Sequence, residues 1–173
     1  MIAASLLSAC TTTSSERSVL PGTSLGGNIE AANFVGTEEG KVGREWNFAL
    51  PLPYNKSAKG LLITGAKVLD PPPGLESHGV SAHALASTGG EVALLSRFGA
   101  DEPVAKELAA SKDIAKTPVT VGPHSLSAVY YVARVKIIGP VSKEIEKCRF
   151  EYQQDGKSYA QVVGCRLQLF VKE

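Results

Sequence analysis

The chain has 173 residues, 18 basic and 17 acidic side chains and a formal net charge of +1. This balance shows neither the basic footprint of a nucleic-acid-binding protein nor an acidic tail, so we expect no nucleic-acid partner. The length suits one domain plus some extra chain, and no apolar run is long enough to predict a membrane-spanning helix.

The first ten residues end in the run Leu6-Leu7-Ser8-Ala9-Cys10. An apolar residue, two small residues and a cysteine resemble a bacterial lipobox, in which the cysteine takes a diacylglyceryl thioether and becomes the new N-terminus. We therefore predict that residues 1–10 are a truncated lipoprotein signal and that Cys10 is lipidated. The basic n-region is missing and the apolar region is short, so we expect further residues upstream of Met1. The alternative is a frayed terminus with an incidental cysteine.

Residues 11–30 are rich in Ser, Thr and Gly, which predicts a flexible tether ahead of a domain that covers residues 31–173. Within this tether, Gly22 to Gly26 match the G-x-S-x-G pattern of a nucleophile elbow. That chemistry needs a strand before the serine and a helix after it, and the composition predicts neither. We therefore predict no catalytic serine in this segment.

Short apolar runs between turn signals follow, a pattern typical of a β-sandwich or barrel. We predict an all-β fold, an antiparallel sandwich of about 7–8 strands. Asp101 as a cap, Pro103 in the first turn and apolar residues at helical spacing indicate a short helix near 102–112, with an irregular loop as the alternative. The predicted strands cover residues 32–36, 44–50, 60–69, 75–85, 91–98, 127–138, 143–154 and 157–171.

The last two predicted strands form a hairpin that carries the other two cysteines, Cys148 and Cys165. A loop of Gly156-Lys157, or of residues 155–158, places the cysteines directly opposite each other, about 4.5–5.5 Å apart at Cα. A loop of Asp155-Gly156 instead makes them miss by two residues. We predict the first register and a disulfide, which closes a loop of about 16 residues and contributes roughly 3 kcal/mol. Two reduced, buried cysteines are the alternative.

Three stretches together resemble a loose group of actinobacterial-type secreted proteins and lipoproteins with one immunoglobulin-like β-sandwich. They are FALPLP at residues 48–53, LLITGAKVLDPPPGLE at 61–76, and the hairpin pattern of residues 149–159. The resemblance covers most of residues 32–173 and implies an immunoglobulin-like fold behind a membrane anchor. It implies no enzymatic activity.

Two sets of polar residues are candidate sites. Tyr130, Arg134 and Lys136 share one face of the strand 127–138 and form a candidate partner surface, although a solvated sheet face is the simpler reading. His78, His83 and His124 are candidate metal ligands or catalytic groups, with Asp70 and Glu76 nearby in sequence. The odd spacing puts His78 and His83 on opposite faces of a strand unless a bulge intervenes, so we predict surface histidines and neither a metal nor another cofactor.

The function that these patterns predict is a non-catalytic binding or accessory module, held by a lipid anchor on the outer side of the bacterial cell membrane. Its expected partners are the membrane and an envelope protein. The alternative is an envelope enzyme or metal-binding protein that uses the histidines.

Overall fold

Twelve strands and one α-helix form the part of the chain that the computed structural model describes, residues 19–26, 34–92 and 94–171. Seven strands have five residues or more, which agrees with the predicted number of strands. Cys10 and most of the predicted tether lie outside the described residues. The strands are β1 (Leu20–Pro21), β2 (Phe34–Gly40), β3 (Glu45–Ala49), β4 (Tyr54–Asn55), β5 (Leu61–Leu69), β6 (Leu75–Ala84), β7 (Leu95–Arg97), β8 (Val119–Val121), β9 (Ser125–Leu126), β10 (Val129–Ile137), β11 (Ile145–Gln154) and β12 (Lys157–Val171); the helix is α1 (Pro103–Ala110).

Two sheets carry the fold, and a third pairs only β4 with β9. The six-stranded sheet has the order β1-β12-β11-β5-β8, and β2 joins it by pairing with β12. The four-stranded sheet has the order β6-β10-β3-β7. Pairing is antiparallel except where β1 and β2 lie parallel to β12. The predicted all-β, sandwich-like fold is therefore confirmed, with two parallel pairings that the sequence did not indicate.

The main core lies between these two sheets and is filled by their inward-facing apolar side chains. Alternation along the strands supplies these side chains, because successive residues of a strand point to opposite faces. Tyr131 of β10 meets Phe150 of β11 edge-on, with 5.4 Å between ring centroids. The single tryptophan, Trp46, is buried in the same core.

The β11–β12 hairpin contains the predicted disulfide but not the predicted register. Asp155 and Gly156 both have positive φ, 50° and 72°, which makes them the two central residues of a tight hairpin turn. Cys148 therefore lies opposite Val163, two residues short of Cys165. A bulge between the pairs of Ile145 and Lys147 interrupts the ladder beside Cys165. The cysteine Cα atoms are 5.8 Å apart, and the disulfide forms between diagonal neighbours.

The N-terminal segment of residues 19–26 belongs to the domain, contrary to the predicted tether of residues 11–30. Leu25 is buried in the main core. The side-chain amide of Gln161 clamps its backbone, accepting from Leu25 N at 2.9 Å and donating to Leu25 O at 2.6 Å. The apolar residues of this segment, Val19, Leu20 and Leu25, have no periodic spacing, which is why the sequence placed it in the tether.

A third layer covers the outer face of the four-stranded sheet. The helix α1 confirms the prediction near residues 102–112, although its N-cap is Glu102 rather than Asp101. Leu108 of α1 packs on Tyr130 and Val132 of β10, and these three form a second buried cluster. This layer covers part of the sheet and leaves the cavity described next.

Candidate functional site

A cavity of about 450 Å³ lies between α1 and the outer face of the four-stranded sheet. Its sheet side is formed by β6, β10 and β3, and its other side by α1 and the segments that flank it. The volume falls in the range of sites that bind small molecules. The lining combines apolar groups from Leu108 and Phe98 with polar groups from β6, β10 and β3.

A β-bulge in β6 brings His78 and His83 to this one cavity. Ser77 pairs with Val135 and Val80 with Ala133, so His78 and Gly79 together oppose a single residue of β10. Gly79 has φ of 101°, a conformation that favours glycine. The extra residue reverses the alternation, and both histidines line the cavity despite their odd spacing. The bulge named as the exception is therefore present, and the prediction of surface histidines is wrong for His83, which is buried.

His83 is held by two serine hydroxyls. Its Nε2 lies 2.8 Å from Ser81 Oγ, and its Nδ1 lies 2.6 Å from Ser111 Oγ. The Ser111 hydroxyl also reaches Leu108 O at 2.8 Å. A hydroxyl has one proton, so donation to Leu108 O leaves Ser111 Oγ to accept from Nδ1–H. Ser81 then donates to Nε2, and this tautomer uses the shortest contacts.

The environment of His83 favours its neutral form. The residue is only 4% exposed, and burial lowers the pKa of its imidazole, while the negative charge of Asp113 acts in the opposite direction. Asp113 is itself fixed, because its Oδ1 accepts from the backbone N–H groups of Ala82 and Ala115 at 3.0 and 2.8 Å. The network therefore ties the edge of β6 to the segment after α1.

Arg134 supplies the positive charge of the cavity. Its guanidinium lies over the Phe98 ring, with 4.6 Å from Cζ to the ring centroid. Its Nε is 3.6 Å from Glu45 Oε2. The same carboxylate lies 3.6 Å from the imidazole of His78. The aromatic ring and the carboxylate restrict the orientation of the guanidinium.

Asn47 of β3 lies directly opposite Arg134 and is another polar group of the cavity. The residue is 9% exposed, and none of the hydrogen bonds among the described residues involves its side-chain amide. Ser96, opposite Asn47 on β7, has a buried hydroxyl that likewise has no hydrogen-bond partner among them. The Ser96 hydroxyl is therefore a buried polar group without a partner, which is unusual because most such groups are satisfied, whereas the Asn47 amide opens into the cavity.

The candidate partner surface is changed by the third layer. Tyr130 is fully buried, because α1 and the His83 ring, at 5.7 Å between centroids, cover it. It therefore cannot contribute to a surface. Arg134 and Lys136 remain partly exposed, and only Arg134 lines the cavity. The predicted partner surface is therefore divided: Tyr130 is buried under α1, and Arg134 and Lys136 remain accessible.

The remaining predicted residues lie elsewhere. His124 is exposed and lies away from the cavity, and its backbone N–H donates to Ser57 O at 3.2 Å. Ser24 of the G-x-S-x-G match donates to Gln154 Oε1 at 2.7 Å. Within the described ranges, no three His, Cys, Asp or Glu side chains are placed to hold a metal ion together.

Sequence patterns did not single out Asn47, Ser81, Ser111 or Phe98 as site residues. The one signal that could have pointed to them is Gly79, because an isolated glycine inside a strand often marks a bulge. A bulge at that point predicts that His78 and His83 share a face, and the helix near residues 102–112 then closes the site.

No protein-family model, curated protein or solved structure matches this chain. In the part of the chain that the structure describes, no helix has the length and apolar composition needed to cross a membrane.

Proposed function

We propose that this chain is a lipid-anchored, extracytoplasmic module that binds a ligand or partner without catalysing a reaction. The observation that carries the proposal is the disulfide between Cys148 and Cys165. Both cysteines are buried in the main core, at 0% and 2% exposure. Disulfides persist in oxidising compartments, and this one supports a location outside the cytoplasm.

The anchor is supported by the lipobox-like run that ends at Cys10. Eight residues lie between Cys10 and Val19, the first described residue, so a fully extended chain reaches at most about 32 Å. A diacylglyceryl group at Cys10 would therefore hold the domain close to the membrane. Two acyl chains are sufficient for stable anchoring.

The binding role is supported by the cavity under α1. It contains polar groups from several strands beside an apolar wall, the arrangement common in small-molecule sites. Arg134 and Phe98 also stand at an open edge, where a partner protein could contact them.

The test is mass spectrometry of the protein expressed in bacterial cells from its complete coding sequence. We expect an N-terminal peptide that begins at a diacylglyceryl-modified Cys10, together with a Cys148–Cys165 cross-linked peptide under non-reducing conditions. Cys10→Ser is the control and should leave the protein unmodified and unanchored. An unmodified Cys10 on a chain with free thiols would overturn the proposal.

A second function, an envelope enzyme, is favoured by one contact. The Ser81 hydroxyl lies 2.8 Å from Nε2 of His83, and the opposite ring nitrogen is held by Ser111. This is the relation of a nucleophile, a base and an orienting group. In acyl transfer, Ser81 would form an ester with the acyl carbon, and its proton would pass through His83 to the leaving alkoxide.

A fluorophosphonate probe separates the two functions. Labelling at Ser81 that is lost in His83→Gln would establish the enzyme. An unlabelled Ser81 in folded protein would leave the binding module.

A further inference from the structure

We propose that the cavity under α1 binds a small monocarboxylate with a short aliphatic chain, and that Arg134 and Asn47 receive its carboxylate. This inference deepens the proposed binding function and rests on it for the existence of a ligand, but it does not depend on the lipid anchor.

Arg134 and Asn47 are placed to contact one ligand group together. They are directly opposed on β10 and β3, and side chains in such pairs lie about 4.5–5.5 Å apart at Cβ. Both line the same cavity. A carboxylate has two oxygens, so one can accept from the guanidinium and the other from the amide.

The guanidinium is available and already oriented. Its contact with Glu45 uses Nε, at 3.6 Å, and no hydrogen bond among the described residues engages the two Nη groups. The Phe98 ring under Cζ restricts the plane of the fork. A guanidinium held in one orientation is ready to donate a charge-assisted hydrogen bond to a carboxylate oxygen, and preorganisation lowers the entropy lost on binding.

The side-chain amide of Asn47 gives the second, independent support for a ligand at this site. Its amide is in a residue that is nine-tenths buried, in the cavity wall, without a partner among the described residues. The amide is not among the fully buried polar atoms, so it is accessible from the cavity and has its hydrogen-bonding groups available there. A ligand oxygen would satisfy the Asn47 N–H donors.

The rest of the cavity selects the remainder of the ligand. Ala105, Leu108 and Ala109 of α1 give an apolar wall that suits an aliphatic chain. Asp113 lines the cavity beside β6, where its Oδ1 accepts a hydrogen bond from the backbone N–H of Ala82. Ala82 lies opposite Tyr131, which is three positions from Arg134 along β10. Its negative charge disfavours a second carboxylate at the far end of the ligand.

The test is a titration of the isotope-labelled chain, without lipid, followed by amide NMR shifts. The probes are hexanoate, its neutral isostere hexanamide and the dicarboxylate adipate. We expect saturable shifts around Gly79, Gly99 and Ala105 with hexanoate, and weaker binding of the other two. Equal shifts with hexanamide, or no saturable shift with hexanoate, would overturn the proposal.

Variants locate the binding groups. Arg134→Gln and the isosteric Asn47→Asp should each weaken hexanoate binding by about tenfold or more, which corresponds to the loss of one charge-assisted contact. Lys136→Gln is the matched control, since it removes a charge two residues along the same face of β10, outside the cavity, and should change affinity by less than about twofold. Wild-type affinity in both cavity variants would contradict the assignment.

Folding of the variants is monitored by the core amide signals. Arg134→Lys provides a second check, because it keeps the charge but loses the fork, and we expect an intermediate affinity. Because the measurement uses unlipidated chain, failure to bind hexanoate would leave the anchor proposal standing, and an unmodified Cys10 in cells would leave this one standing.

Discussion

The inner and outer faces of the four-stranded sheet share the strand β10 but are covered in different ways. On the inner side, Tyr131, Ala133 and Val135 meet the six-stranded sheet in a continuous apolar core that includes the Cys148–Cys165 disulfide. On the outer side, α1 packs on Tyr130 and Val132 only, and Arg134, further along β10, lines a cavity. The outer side of the sheet, where the packing leaves a cavity, is therefore the side on which polar side chains are available to a ligand.

The two faces of the sheet separate residues that stabilise the fold from residues that are available for binding. Apolar groups in the inner core gain free energy by leaving water, whereas on the outer side the Ser96 hydroxyl is buried without a hydrogen-bond partner among the described residues and the Asn47 amide lines the cavity without one. A fold does not gain stability from such groups, and sites of function are where proteins keep them.

The strongest contrast compares two phenylalanines. Phe150 is fully buried between the sheets, and Phe98 is 48% exposed at the cavity. Phe150→Ala should lower the free energy of unfolding by about 3–5 kcal/mol, because it leaves a void in a packed core. Phe98→Ala should cost less than about 1 kcal/mol, the scale of an exposed cation–π contact. Urea unfolding measures both, and equal losses would remove the distinction between the two layers.

The disulfide should give the next largest effect. Replacing Cys148 and Cys165 by alanine, or reducing the wild-type protein, should cost about 3 kcal/mol, because the open loop gains conformational entropy in the unfolded chain. Cys10→Ser is the control and should leave stability unchanged. Unfolding under non-reducing and reducing conditions checks this, and a midpoint that does not respond to reductant would show that the core does not depend on the bond.

The smallest effect concerns His83 and pH. Burial lowers the pKa of His83 in the folded state, so the unfolded chain binds the proton more readily. The free energy of unfolding should therefore fall as pH drops below about 6.5, the usual pKa of histidine. Asp113 moderates the fall by favouring the protonated ring.

The pH effect is assigned by variants. Unfolding in urea at a series of pH values should show a shallower slope in His83→Gln than in the wild type. The exposed His124→Asn should keep the wild-type slope, and asparagine tolerates the positive φ of 49° at that position. A slope that stays the same in His83→Gln would assign the pH dependence to other groups.

Much of the architecture was predictable from local patterns. The strands 61–69 and 129–137 were identified because alternation and turn residues agree there, and α1 because its apolar spacing follows a proline. The hairpin register was not predicted correctly, because the choice between the two loops depends on which residues adopt positive φ. Asp155-Gly156 suits a tight turn better than Gly156-Lys157.

The site was less predictable than the fold because it depends on one irregularity and one tertiary contact. The bulge at Gly79 changes the face of β6 on which His78 lies. A pattern of strictly alternating residues does not predict such an extra residue. The burial of Tyr130 depends on where α1 docks, which local sequence does not specify. Asn47 alternates with the core residues Trp46 and Phe48 in its strand, and only the covering layer makes it a group of a cavity.

The most direct test of the account is Asn47→Leu, with the free energy of unfolding and the affinity for hexanoate both measured on the same protein. We expect stability to be unchanged or increased, because the Asn47 amide makes no hydrogen bond among the described residues and is replaced by an apolar side chain of similar size, while hexanoate binding is lost. A variant that is destabilised by more than about 1 kcal/mol and still binds hexanoate like the wild type would show that Asn47 is a structural group. That result would contradict the assignment of the outer face of the sheet to binding.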